Sequence, residues 1–179
     1  MKTYKKWAKH HYSFGQRMIL MILAGLVFLL LLPTLLVNCS ARLDAAWNLP
    51  DFSAGLVNKI AGAILSLAGF SLGFWSVERQ ITLAAGTPVP VMPTQKLIVQ
   101  PPFTYCRNPM TLGTILGYSG IGVWIGSFSA VGMVLLFGLL LILYIKLLEE
   151  KELEARFGES YLEYKRQTPF MLPRFRRKG

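Results

Sequence analysis

Residues 111–145 read TLGTILGYSGIGVWIGSFSAVGMVLLFGLLLILYI, 35 positions without a charged side chain. The hydrocarbon core of a bilayer is about 30 Å thick and takes about 20 helical residues at 1.5 Å each. The run is therefore too long for one ordinary crossing and must reverse. Gly126-Ser127-Phe128-Ser129 is the place, a cluster of turn-forming residues inside an otherwise apolar helix pattern. Folding the chain about position 128 predicts a helical hairpin of 111–126 and 129–148, with Asn108 opposite Leu148. The hairpin brings the segment 105–113 beside Glu149 and Glu150, at one edge of the apolar layer.

Working outward, Met18 to Val37 is uncharged over 20 positions, long enough to cross. A cleaved signal has an apolar core of only about 7–15 residues, so the run reads as a first span, 18–37, with Pro33 kinking its outer end. A second span covers 54–77, where Gly62, Gly69 and Gly73 share a face. Gly69-x-x-x-Gly73 is a spacing that lets helix backbones approach closely. Residues 1–17 mix lysines with Tyr4, Trp7, Tyr12 and Phe14, as suits an interfacial anchor. His10 and His11 have no third ligand nearby, so no metal site is expected.

The net charge of +10 is compatible with nucleic acid, but its distribution points to a membrane face. Residues 1–17 carry five basic residues and no acid; 38–53 have a net charge of −1; 77–110 have +2; and from Lys146 onward the net is +3. Basic segments alternating with an acidic loop follow the positive-inside rule. Both termini and the 77–110 loop are expected in the cytoplasm, with membrane lipids as partners and no nucleic acid. Cys39 and Cys106 then lie near opposite faces and form no bridge. The oligomeric state is left open.

Two regions at that inner edge are candidates for chemistry. Residues 84–102 contain five prolines and a glycine, cannot form a regular helix, and are long for a loop in a compact protein. Glu149, Glu150, Glu152 and Glu154 crowd the end of the last span, where the helix dipole and the membrane surface both favour cations. Glu152 and Glu154 read as a solvated face balanced by Lys151 and Arg156. Glu149 and Glu150 lie deeper. Arg107 is one partner that the hairpin supplies, and Lys146, one turn earlier, is another. The helix is expected to run on to about Phe157 and to stop at Gly158.

The stretch Phe103-Thr-Tyr-Cys-Arg-Asn-Pro-Met-Thr-Leu-Gly113 resembles the Tyr-x-Tyr-x-Arg-(His/Asn)-Pro-x-Tyr-x-Gly segment of isoprenylcysteine carboxyl methyltransferases and their phospholipid-methylating relatives. Glu149-Glu150-x-x-Leu153-x-x-x-Phe157-Gly158-x-x-Tyr161-x-x-Tyr164, followed by Thr168-Pro169-x-x-Leu172-Pro173, is similar to the C-terminal signature of that group. The resemblance covers about residues 97–173; the first two spans match only as apolar segments. Pro101-Pro102 replaces a Gly-Pro, Asn108 stands for the usual His, and Thr111 replaces a Tyr, which removes a ring from the expected pocket wall.

The resemblance implies an all-α integral membrane protein of four transmembrane helices, in one domain. Its 78–110 loop and 149–179 tail would form a cytoplasmic pocket for S-adenosyl-L-methionine, with S-adenosyl-L-homocysteine as product. The acceptor would be lipophilic or small, presenting a carboxylate, an amine or a thiol. Carried over residue by residue, the cofactor contacts would be Tyr105, Arg107, Asn108, Pro109, Leu112, Gly113, Glu149, Glu150, Tyr161 and Tyr164, with Arg107 and Glu150 central to catalysis. The chemistry is compatible: carboxylates hold ribose hydroxyls or an ammonium, and arginine forks onto a carboxylate. Two other readings are open. A membrane reductase of the sterol-reductase type would take NADPH, and a non-enzymatic membrane protein would have no cavity joining Arg107 to Glu150.

Overall fold

The computed structural model describes residues 13–84 and 95–172, and these are helical, without a strand among them. The expected anchor at 1–12, the centre of the proline-rich loop and the tail beyond Leu172 lie outside the described residues. Ser13 and Gln16 cap each other's backbone to start α1 (Phe14–Leu26), which passes through a π-helical turn (Val27–Leu31) into α2 (Leu32–Ala46). Then follow α3 (Leu56–Ala84), α4 (Pro109–Ile125) and α5 (Phe128–Tyr144). A second π turn (Ile145–Glu149) leads without interruption into α6 (Glu150–Phe157), and Gly158 separates it from α7 (Glu159–Gln167).

The break in the first long helix comes before the proline that predicts it. In the π turn the Leu32 N–H bonds to the Val27 carbonyl, five residues back. The next acceptor in that register, Phe28, faces Pro33, which has no N–H. Tyr118 on α4 supplies the missing donor, its hydroxyl bonding to the Phe28 carbonyl. The freed carbonyl is thus satisfied by a neighbouring helix, as apolar surroundings require.

α3 and α4 are the most closely packed pair, antiparallel and nearly backbone to backbone. A Cβ on Gly69 would lie 2.2 Å from the Gly117 nitrogen, one on Gly62 2.5 Å from the Trp124 nitrogen, and one on Gly113 2.6 Å from the Gly69 oxygen. Only a glycine fits at such contacts. Gly73 takes part differently: Gly113 touches its backbone, but a Cβ of its own would meet open space. The expected reversal is present at Gly126, which adopts φ 71° and ends α4, while Ser127 caps α5. Asp44 at the end of α2 reinforces that turn, accepting from the Ser127 hydroxyl and, at 3.1 Å, from the Ser129 N–H. A carboxylate there also meets the positive end of α5.

Two expected boundaries move. The first helix runs to Ala46, not Val37, and the second ends at Ala84, not Val77. The polar residues that mark the end of each apolar run do not end the helix. Asn38 bonds to the Thr34 carbonyl at 2.7 Å, Ser40 to Val37 at 3.2 Å, and Thr82 to Glu78 at 2.8 Å. Met18–Ala46, Leu56–Ala84 and Phe128–Phe157 are each long and apolar enough to cross a membrane. α4, which has no charged residue, is 17 residues long, about 25 Å of rise, at the lower limit for a crossing. Large apolar side chains stand exposed along these helices, Leu136 and Leu139 on α5 at 60% and 52%, as lipid-facing surfaces do.

Candidate functional site

Where α3 ends and α4 begins, residues 95–108 fold back over the helix ends. The Gln95 N–H caps the Ala84 carbonyl at 2.8 Å, and Ile98 and Phe103 pack with Ala84 in a small apolar cluster. The chain then turns through Arg107 and Asn108 into α4, with Pro109 in its first turn, where its missing N–H costs nothing.

Arg107 and Glu150, 43 residues apart, meet here. Arg107 Nη2 donates to Glu150 Oε1 at 2.7 Å, and both side chains are about nine-tenths buried, 11% and 9% exposed. Of the two sequence alternatives for Glu150, Arg107 is the partner. Lys146 lies instead over the Phe170 ring, 4.9 Å from its centroid. The second cation on Glu150 is Lys165, at 2.9 Å, which also bridges to Glu154 at 2.7 Å. These bonds, the Glu154 one foremost, hold the Lys165 pKa above its ordinary value.

Arg107 makes further bonds within the chain. Nη1 donates to the Lys165 and Thr168 carbonyls, both at 2.9 Å, and the Arg107 N–H donates to the Pro169 carbonyl at 2.9 Å. Asn108 Nδ2 adds a bond to the Phe170 carbonyl at 3.0 Å. Both terminal nitrogens of the guanidinium are thus engaged within the chain, Nη2 by Glu150 and Nη1 by the tail carbonyls. Arg107 Nε remains buried without a hydrogen-bond partner. Tyr164 fixes the other side, donating to the Phe103 carbonyl at 2.7 Å. Burial raises the pKa of Tyr164 and of Tyr161, so both stay neutral phenols. Cys106 is 1% exposed, packed into the turn, and burial likewise raises its thiol pKa.

A cavity of about 340 Å³ opens beside this network, within the usual range of small-molecule sites. Of the residues carried over from the resemblance, Arg107, Asn108, Pro109, Glu149, Glu150, Tyr161 and Tyr164 line it. Tyr105, Leu112 and Gly113 do not. Tyr105 is 40% exposed, its ring 6.4 Å from that of Trp75, and Gly113 is committed to the contact with α3. Thr111, where the resembling proteins carry Tyr, lines the cavity and is buried.

Glu152 corrects the expectation of a solvated face. Ile145, Glu149, Glu152, Leu153 and Arg156 form one stripe at helical spacing, and that stripe lines the cavity. Arg156 pairs with Glu152 at 3.0 Å. Glu154 lies off the stripe and faces Lys165. Glu149 differs from both neighbours, being partly buried in the cavity wall with no hydrogen bond or ion pair to a described residue. From Glu149 the cavity reaches Leu141 and Phe137, twelve residues or about 18 Å down the helix, and Phe28 across from them. It is polar at one end and apolar along its length. Sequence reading missed Gln80, Lys96 and Lys165; none stands in a recognisable motif.

Long lipid-facing helices around a half-polar cavity define an integral membrane protein with a site at one end of its bundle. The phospholipid methyltransferase family model matches residues 57–160, more than half of the chain, and the chain belongs to that family of membrane methyltransferases. Among curated proteins, none matches it.

Proposed function

We propose that the protein transfers a methyl group from S-adenosyl-L-methionine to a lipophilic acceptor at the cytoplasmic face of the membrane. The observation that carries this reading is the cavity itself, with a carboxylate that pairs with no cation among the described residues at its polar end and an apolar shaft running along the helices. The residues fit the cofactor. Glu149 can accept from ribose hydroxyls, Arg107 Nε is a buried donor still to be satisfied, and Leu153, Phe157 and Ile98 offer apolar surface to a base. When bound, the cofactor supplies an electrophilic sulfonium methyl.

The chain's own part is positioning and exclusion of water. The network of Arg107, Glu150 and Lys165 holds the tail against α4, and Tyr161 and Tyr164 close the wall behind it. A carboxylate or thiolate acceptor needs no base. An amine must lose a proton, and Glu149 is the cavity carboxylate placed to take it, since Glu150 and Glu152 are held by cations. The topology that fits the charge pattern has four spans, α4 included, and both termini inside.

The test uses purified protein in nanodiscs containing phosphatidylethanolamine. S-adenosyl-L-homocysteine should bind, and label from methyl-labelled S-adenosyl-L-methionine should enter the lipid fraction. Glu149→Gln should weaken S-adenosyl-L-homocysteine binding about tenfold or more, since charge-assisted hydrogen bonds contribute about 1.5–3 kcal/mol each. Binding of NADPH with none of S-adenosyl-L-homocysteine would overturn the reading.

A further inference from the structure

Few buried polar side-chain atoms among the described residues lack a hydrogen-bond partner, and two of these belong to residues lining the cavity: Arg107 Nε and Gln80 Oε1. Gln80 stands on α3, outside both halves of the motif. No described residue donates to its side-chain oxygen or accepts from its amide nitrogen. Leaving such a group buried and unpaired costs free energy, so a native structure that does so invites a ligand explanation.

The register of the glycine contacts places this residue. Gly73 lies beside Gly113, Gly69 beside Gly117 and Gly62 beside Trp124, so α3 and α4 run antiparallel in step. Seven residues beyond Gly73, two helical turns, carry Gln80 about 10 Å further along α3, past the first turn of α4 and toward the segment that precedes it. It therefore lines the cavity toward its polar end and not in the apolar shaft. An unpaired acceptor and an unpaired donor on two residues that line one cavity make a two-point polar site.

We propose that Gln80 is a ligand-contacting residue of this cavity, its side-chain oxygen accepting a hydrogen bond from an N–H group of the bound cofactor. The inference rests on the cofactor reading above. Two parts of S-adenosyl-L-methionine carry such a group, the ammonium of its amino-acid end and the exocyclic amine of adenine. If the ammonium sits on Gln80, its neighbouring carboxylate is the acceptor that Arg107 Nε lacks.

The experiment is calorimetric binding of S-adenosyl-L-homocysteine and of 5′-methylthioadenosine, which has the adenosine but no amino-acid end. The proteins are wild type, Gln80→Leu and Gln80→Glu in nanodiscs. Gln80→Leu should weaken S-adenosyl-L-homocysteine about three- to tenfold, the loss of one hydrogen bond, and Gln80→Glu, which keeps an acceptor oxygen, should restore binding. Weakening for S-adenosyl-L-homocysteine alone assigns the contact to the ammonium; weakening for both ligands assigns it to adenine. Unchanged affinity of Gln80→Leu for both ligands overturns the proposal while leaving the cofactor reading intact. So does an equal loss in the Leu and Glu variants, which would mark a packing role, and unliganded thermal unfolding of each variant shows whether packing has changed. Failure of wild type to bind either ligand overturns the cofactor reading and this inference together.

Discussion

Glu150→Ala tests whether the tail is held to the helices as the geometry indicates. The substitution removes one charge-assisted bond of 2.7 Å to Arg107 and one of 2.9 Å to Lys165. Lys165 keeps Glu154 and is about a third exposed, so its loss is small, in the range of about 0–1 kcal/mol for surface pairs. Arg107 is nearly enclosed, and breaking a buried pair from one side costs about 3–5 kcal/mol. Its bonds to the Lys165 and Thr168 carbonyls survive, which favours the lower end, about 3 kcal/mol or two decades in the unfolding equilibrium. Arg107→Ala should cost at least as much, because it also releases those carbonyls. The double variant should lose less than the sum of the two, with a coupling of about 1–3 kcal/mol. Arg107→Lys should rescue little, since one ammonium cannot reach Glu150 and two carbonyls at once. The assay is reversible unfolding in mixed micelles titrated with SDS, followed by circular dichroism. A loss below about 1 kcal/mol for Glu150→Ala, or strict additivity in the cycle, would refute the reasoning.

Three further outcomes are expected from the structure and the charge pattern. Lys165, Tyr161 and Tyr164 all have folded pKa values raised above their ordinary 10.5 and 10, so each keeps its proton longer folded than unfolded. The buried Cys106 thiol is raised as well, so stability should fall as pH rises above about 9, and a tyrosinate absorbance titration should show at least two phenols that ionise only on unfolding; ionisation of all tyrosines near pH 10 in the folded protein would contradict this. Gly69→Ala should destabilise by about 1–3 kcal/mol or more because its methyl meets the α4 backbone, whereas Gly73→Ala, with open space, should be tolerated; equal effects would contradict the packing described for α3 and α4. On a Cys39→Ser background, an impermeant maleimide on intact cells should label Ala54→Cys and not Lys151→Cys, and the reverse pattern would invert the proposed topology.

The hairpin and the meeting of Arg107 with Glu150 were legible because both depend on local rules. An uncharged run of known rise, with Gly126 and Ser127 in its middle, fixes which residues stand level. Helix ends were less legible, because hydropathy marks where lipid stops and not where backbone hydrogen bonding stops. Asn38 and Ser40 are polar, yet each returns its hydrogen bond to its own helix. The π turn illustrates a second limit. Pro33 announces a disturbance, but its form depends on Tyr118, 90 residues from Phe28, and no local pattern joins them. Lys165 and Asp44 escaped for the same reason, each finding its partner across a turn. Glu152 was misread because its charge was weighed and its place on the stripe from Ile145 to Arg156 was not.

The site separates two tasks that the motif alone presents as one. Arg107 has the chemistry of a ligand-binding residue, but its hydrogen bonds run to Glu150 and to three carbonyls of the tail, which makes it chiefly a positioning residue. Glu149 has the chemistry of a helix-end defect, a carboxylate where a cation belongs, and it is the group left open to the cavity. Its cost to the empty protein is the reason to expect a donor-rich ligand there, since nothing among the described residues offsets it. Substitutions should divide accordingly. Changes at Arg107 move stability and binding together, because the wall itself shifts. Changes at Glu149 move binding alone and leave the unliganded fold as stable or more so.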